Sequence, residues 1–173
     1  MIPLAKKACP AAIAVLQQAT AFWPKRNKAA DGLLPSKAHQ KQNPNSDHNS
    51  GMAVDLTHDP ANGVDCKDIF NRLKTDVRVK YLIHAGRIYQ DGHENNYSGP
   101  NKHEHHLHIS IKDNCGNQNQ NWFPWVNQTT QVKKNTIKIS QIKQPKKKPV
   151  KTTTQNDSLR KRSVLVSFFK RGK

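Results

Sequence analysis

The chain has 173 residues, with 29 Lys and Arg against 12 Asp and Glu, and a formal net charge of +17. This length suffices for one domain with a hydrophobic core and hardly for two, and no apolar run approaches the ~20 residues of a membrane span. The three cysteines are widely spaced and form no CxxC motif. Composition therefore gives no sign of a disulfide framework, and we expect reduced thiols.

The positive charge is concentrated at the C-terminal end of the chain. Residues 131–173 hold 14 Lys and Arg and one acid, whereas residues 1–130 hold 15 Lys and Arg and 11 acids. We therefore predict a domain at 1–116, a linker rich in Asn, Gln and Trp at 117–131, and a basic, largely disordered tail at 132–173. A cationic tail favours an anionic envelope polymer or a membrane surface as partner, with nucleic acid as the alternative.

The first predicted element is a helix at 11–23. Four apolar residues recur at helical spacing and share one face: Ala12, Leu16, Ala19 and Trp23. Pro10 suits the first turn of this helix and Pro24 ends it. The apolar run after Lys6 and Lys7 superficially resembles a signal peptide, but Pro10 and two glutamines interrupt it, so we interpret it as a domain helix.

Further along the chain, the patterns indicate an α+β fold. Apolar and polar residues alternate as in strands at 51–57, 79–83, 87–89 and 106–111, and helical spacing predicts an amphipathic helix at 64–75. Polar loops are expected at 25–45 and 90–102. The prediction is a small antiparallel sheet flanked by helices.

Two segments concentrate residue types that ligate metals. His48 and Asp55 lie seven residues apart, and residues 103–108 contain four histidines in six positions. Strand alternation places His106 and His108 on one face. Zinc needs three protein ligands and one open position to activate water, which His48, Asp55 and His108 could supply with His106 beside them. The alternative is a set of scattered surface histidines.

The first of these segments resembles a known signature. Residues 46–55, Ser-Asp-His-Asn-Ser-Gly-Met-Ala-Val-Asp, are similar to the S-x-H-x-x-G-x-A-x-D pattern of zinc D-Ala-D-Ala carboxypeptidases and L-Ala-D-Glu endopeptidases. This family belongs to the hedgehog-type peptidase superfamily and includes many phage endolysins. His106-Leu107-His108 matches the His-x-His with which the superfamily ends its site. The resemblance covers roughly residues 10–112.

The resemblance implies a role for each matching residue. His48, Asp55 and His108 would bind one zinc ion per chain, and His106 would be the catalytic or transition-state-stabilising histidine. Glu104 is a rival general base, because strand alternation would place it on the same face. Four further residues are candidate substrate contacts: Arg26, His39, Ser46 and His103.

The resemblance also implies the substrate. The expected protein is a monomeric zinc peptidase of the peptidoglycan stem peptide or cross-link. As an endolysin, it would pass from the host cytoplasm to the cell envelope; otherwise it would be virion-associated. The alternative is a nucleic-acid-binding or virion structural protein, in which four protein ligands close a structural zinc site.

Overall fold

The computed structural model of the chain describes residue 5 and residues 7–126. The predicted tail at 132–173 and the end of the predicted linker lie outside the described residues. Three α-helices are present in the described part: α1 at Pro10–Phe22, α2 at Lys37–Gln42 and α3 at Cys66–Leu73. The five strands are β1 at Ala53–Thr57, β2 at Val79–His84, β3 at Arg87–Gln90, β4 at His93–Asn96 and β5 at His106–Ile111.

The strands form one antiparallel sheet in the order β1-β5-β2-β3-β4. His108 on β5 lies opposite Asp55 on β1 and opposite Ile83 on β2. Because side chains alternate along a strand, His106 and His108 share one face with Asp55, and Leu107 and Ile109 take the other. The predicted α+β fold with an antiparallel sheet is confirmed.

The apolar face of the sheet forms the core with α1 and α3. Pro10 occupies the first turn of α1, as predicted, and Asp65 caps α3 by accepting from the backbone N–H groups of Lys67 and Asp68. The buried face of α3 is the predicted set Cys66, Ile69, Phe70 and Leu73. Burial raises the pKa of the Cys66 thiol to about 12, so this residue acts as an apolar filler.

The segment after residue 116 contributes to the same core. Trp122 and Phe123 are fully buried, and the Trp122 indole donates to the Ala11 carbonyl oxygen over 3.0 Å. The Arg78 guanidinium lies 3.6 Å from the centre of a Trp122 ring, within the range of a cation–π contact. The predicted linker at 117–131 therefore includes residues that belong to the packed unit up to residue 126.

Two elements occur where polar loops were predicted. Helix α2 lies within 25–45 and buries none of its residues, and β4 lies within 90–102 with all four residues exposed. Neither α2 nor β4 has apolar residues at helical or strand spacing, which is the pattern that predicts such elements from sequence. Strand β4 is instead held by its pairing with β3. Among the described residues, no helix is both long and apolar enough to cross a membrane.

Candidate metal centre

The three predicted ligands converge on one face of the β1–β5 pair. His48 lies in the turn before β1, whereas Asp55 and His108 face each other across the two strands. His48 Nε2 lies 3.2 Å from His108 Nδ1 and 3.2 Å from Asp55 Oδ1, and His108 Nδ1 lies 3.0 Å from Asp55 Oδ1. The three atoms form a nearly equilateral triangle that could hold a metal ion.

The orientation of His48 is set by a backbone carbonyl. His48 Nδ1 lies 3.0 Å from the carbonyl oxygen of Leu33, which can only accept a hydrogen bond. Nδ1 therefore carries a proton, and in neutral His48 the lone pair of Nε2 points into the triangle. Metal-binding histidines commonly donate a hydrogen bond from the N–H of their second ring nitrogen in this way.

Electrostatics favour a cation at the centre of the triangle. Burial alone would raise the pKa of Asp55, but hydrogen bonds from His108 and His48 hold it well below its usual range. Burial lowers the pKa of His48, and its hydrogen bond to Asp55 outweighs this and raises it. A metal ion in the triangle would therefore take the place of a proton on His48 beside the same partly buried carboxylate.

His108 differs from the usual metal-binding histidine, whose second ring nitrogen donates a hydrogen bond. Its Nε2 atom is buried and has no hydrogen-bond partner among the described residues. Its ring instead stacks on Tyr81, with centroids 5.4 Å apart and an interplanar angle of 19°. The orientation of His108 therefore depends on Asp55 on one side and on an aromatic face on the other.

Two glycines near the triangle occupy positions where a side chain would meet neighbouring atoms. Gly51, the signature glycine, has a φ of 72°, and a Cβ there would lie 2.6 Å from the Lys7 carbonyl oxygen. Gly32 exchanges two backbone hydrogen bonds with Asp55, and a Cβ there would lie 3.0 Å from Asp55 Oδ2. The absence of a side chain at Gly32 therefore leaves room for the Asp55 carboxylate.

His106 and His103 lie beside the triangle. His106 Nε2 is 3.7 Å from Asp55 Oδ1, and the ring centroids of His103 and His106 are 4.8 Å apart. Burial lowers the pKa of both rings, for His103 to about 4, and neighbouring histidines act in the same direction. The lowered pKa values favour the neutral form of both imidazoles near pH 7.

His39 and Ser46 lie beside His48. The ring of His39 meets that of His48 edge-on with centroids 6.0 Å apart, and His39 Nε2 lies 3.5 Å from Ser46 Oγ. The side chain of His39 is exposed. The structure thus brings these two predicted substrate contacts to the rim of the cluster.

Arg26 is held elsewhere, in an internal ion pair. Its guanidinium nitrogens lie 2.8 and 2.6 Å from the two carboxylate oxygens of Asp31, and 5% of the residue is exposed. Asp31 also accepts from the Thr57 backbone and hydroxyl. Through Asp31, the guanidinium of Arg26 links the 26–31 loop to β1. We therefore assign Arg26 this structural role instead of the predicted contact with substrate.

Glu104 does not share the face of His106. Strand β5 begins at His106, so the alternation that supported the prediction does not extend to residue 104, which lies in a turn. Glu104 is exposed and lines a cavity of about 520 Å³ together with His58 and His84. His84 occupies the face of the sheet opposite the metal centre, because it is adjacent to Ile83 on β2.

Sequence reasoning missed three groups near the site. They are the Leu33 carbonyl, the Tyr81 ring and Asp47, whose carboxylate accepts from the Ser110 hydroxyl and from Lys80 Nζ. A backbone carbonyl carries no sequence signal. Tyr81 reaches the site only through the register of β2 against β5, which the alternation within one strand does not reveal. Asp47 adjoins His48 in the turn before β1, and its contacts with Lys80 and Ser110 depend on how the sheet packs against that turn.

Comparison of the chain with protein-family models, curated proteins and solved structures finds no match to any of them.

Proposed function

We propose that this protein is a zinc-dependent peptidoglycan peptidase that cleaves a peptide bond in the murein stem peptide or cross-link. The observation that carries the proposal is the triangle of His48, Asp55 and His108 atoms, 3.0 to 3.2 Å on a side, with His106 beside it. The resemblance of residues 46–55 to the signature of zinc carboxypeptidases and endopeptidases supplies the substrate class.

The donor set and its spacing fit zinc. Two imidazole nitrogens and one carboxylate oxygen are ligands that zinc accepts at about 2.0–2.2 Å, and a tetrahedral arrangement then separates ligand atoms by about 3.3–3.5 Å. The observed sides are slightly shorter, so a modest expansion would seat the ion. The Nε2 lone pair of His48 is already oriented for this, because Nδ1 donates to the Leu33 carbonyl.

The number of ligands supports catalysis over a structural site. Structural zinc is closed by four protein ligands, whereas catalytic zinc retains an open position. In the described part of the chain, the grouping that could hold a metal has three members, and His106 is not among them. Bound zinc in such a site activates water and polarises a substrate carbonyl.

His106 is the candidate for the remaining chemistry. Its imidazole lies beside the triangle, where it would donate a hydrogen bond to the developing oxyanion, or take a proton from the attacking water and pass it to the leaving amine. His103 contacts the ring of His106, His39 contacts the ring of His48, and Ser46 lies beside His39. These residues would contact the substrate peptide, whereas the position of Glu104 makes it the weaker candidate base.

The test combines metal content with product analysis. Purified full-length protein should contain one zinc per chain by elemental analysis, and mass spectrometry should find new peptide termini after incubation with murein. His108→Ala is the matched inactive variant. Zinc bound with four protein ligands and no murein products would contradict the proposal and favour the nucleic-acid-binding or virion structural alternative.

A further inference from the structure

His84 lies at the end of β2, on the face of the sheet opposite the metal centre, and only 6% of it is exposed. Its Nδ1 atom lies 3.1 Å from the carbonyl oxygen of His103 and 2.9 Å from that of His106. Both partners can only accept, so Nδ1 carries a proton and donates to the two carbonyls. This holds whether the imidazole is neutral or charged.

The two carbonyls border a turn that needs support. His103 has a φ of 55°, a left-handed conformation that costs a residue with a side chain on the order of 1–3 kcal/mol and persists only where the surroundings fix it. The His103 carbonyl also accepts from the Ala85 backbone over 3.2 Å. One N–H of His84 thus joins the start of the turn at His103 to the start of β5 at His106.

We propose that His84 is a positioning residue that holds the 103–106 turn from the opposite face of the sheet and thereby fixes the His103 and His106 rings beside the metal centre. This inference rests on the proposed peptidase function. It assigns His84 no contact with the substrate or the metal.

The surroundings of His84 show that the turn is held at several points on this side. The His58 backbone N–H donates to the His105 carbonyl oxygen over 2.9 Å, and the His58 ring lies 5.2 Å from that of His84. His58 Nδ1 in turn accepts from the Cys66 backbone N–H at the start of α3. The 103–106 turn is therefore tied to the core helix through His58 and to β2 through His84.

Substitutions can separate the Nδ1 donor from the bulk of the ring. An asparagine amide nitrogen occupies nearly the position of histidine Nδ1, a glutamine amide reaches the position of Nε2, and leucine fills the volume without a donor. We therefore compare His84→Asn, His84→Gln and His84→Leu in the full-length, zinc-loaded protein. The measurements are zinc content, kcat and KM on murein peptides, and the imidazole NMR signals of His103 and His106.

The inference predicts a rescue by asparagine alone. His84→Leu and His84→Gln should lower kcat by about 10–100-fold, with KM and zinc content nearly unchanged, and should shift the His103 and His106 signals. His84→Asn should retain most of the turnover and the native signals. Equal loss in the Asn and Gln variants would overturn the inference, as would full turnover with native signals in His84→Leu.

Two other results are also decisive. If His84→Leu does not fold, the Asn and Gln pair still separates a positioned donor from a merely polar residue. If wild-type protein does not cleave murein, the proposed function fails, but the NMR signals of His103 and His106 still report whether His84 holds the turn. Native signals in all three variants would then refute the inference independently of turnover.

Discussion

The Nδ1 atom of His48 lies 3.0 Å from the carbonyl oxygen of Leu33, and this contact determines which nitrogen of His48 faces Asp55. The carbonyl fixes the proton on Nδ1 and directs the Nε2 lone pair toward the other two ligand atoms. The loop before residues 46–55 thus orients His48, a candidate ligand within that segment. Metal binding should therefore depend on residues far from 46–55 in the sequence.

The first prediction concerns the ligands. His48→Ala should abolish stoichiometric zinc binding and activity together, because two ligand atoms remain for an ion that needs three from the protein. Elemental analysis after dialysis measures the metal content. His105→Ala is the matched control, since His105 is exposed and lies outside the three-residue grouping. Full zinc content in His48→Ala would refute this assignment.

The second prediction separates His106 from His108. His108→Ala should lose zinc and activity together, whereas His106→Ala should keep its zinc and lose a donor for the transition state. The loss of one such donor lowers turnover by ~10²–10³-fold, or about 3–4 kcal/mol, with a smaller effect on substrate binding. Zinc content and murein-peptide kinetics of both variants provide the measurement.

Glu104→Gln completes this comparison. Because Glu104 lies in a turn and lines a different cavity, its substitution should leave zinc content and turnover close to those of wild type. An inactive Glu104→Gln protein beside an active His106→Ala protein would reverse the two roles. Loss of zinc from His106→Ala would make His106 a ligand.

The convergence of His48, Asp55 and His108 was predictable because their spacing and residue types are local features. His48 and Asp55 lie within one short segment, and His106 and His108 lie within another. Strand alternation places His106 and His108 on the same face of the sheet. Arg26 was a less reliable prediction because an arginine near a motif pairs with whichever carboxylate the fold brings to it, and here that is Asp31. The predicted placement of Glu104 on the face of His106 was wrong because strand β5 begins only at His106, so the alternation does not extend to residue 104.

Folded segments without an apolar pattern were the least predictable. Residues 93–96, His-Glu-Asn-Asn, have low strand propensity and form β4 because they pair with β3. Trp122 and Phe123 stand among Asn and Gln residues, so composition suggested a linker although both rings are buried. In both cases tertiary contacts outweigh the local signal.

The third prediction concerns Gly32. A methyl group at this position would lie 3.0 Å from Asp55 Oδ2, so Gly32→Ala should displace the carboxylate without removing a ligand. We expect zinc affinity to fall by about 10–100-fold, the range found for groups that orient ligands. Competition with a chelator measures the affinity, and circular dichroism checks the fold. Unchanged affinity in a folded variant would show that Asp55 tolerates the contact.

The fourth prediction concerns stability at low pH. Burial would raise the pKa of Asp76, but its hydrogen bonds with Arg78 outweigh this and lower it. A carboxyl group whose pKa is lower in the folded protein than in the unfolded chain stabilises the folded state. This stabilisation is fully present above the pKa of the unfolded chain, about 3.9, and is lost as the pH falls through the pKa of the folded protein. Asp76→Asn should therefore cost about 1–3 kcal/mol at pH 7 and much less near pH 2.

Urea unfolding of wild-type and Asp76→Asn protein at several pH values tests this linkage. Asp68→Asn is a suitable control, because its ion pair with Arg72 is about half exposed and should contribute little. A destabilisation of Asp76→Asn that is the same at pH 7 and pH 2 would indicate that the Asp76 charge is not the cause.

The last prediction concerns where the folded unit ends. A chain ending at residue 131 should bind metal and unfold cooperatively, because it retains Trp122, Phe123 and the Arg78 contacts to the carbonyls of 118, 120 and 121. A chain ending at residue 116 loses both buried aromatic rings. Truncation of one such side chain costs about 3–5 kcal/mol, so the loss of two is comparable with the entire stability of a small domain, about 5–15 kcal/mol. Urea unfolding monitored by circular dichroism should therefore show a cooperative transition for the chain ending at residue 131 and none for the chain ending at residue 116. Equal midpoints for the two chains would mean that the aromatic segment only covers a core that is stable without it.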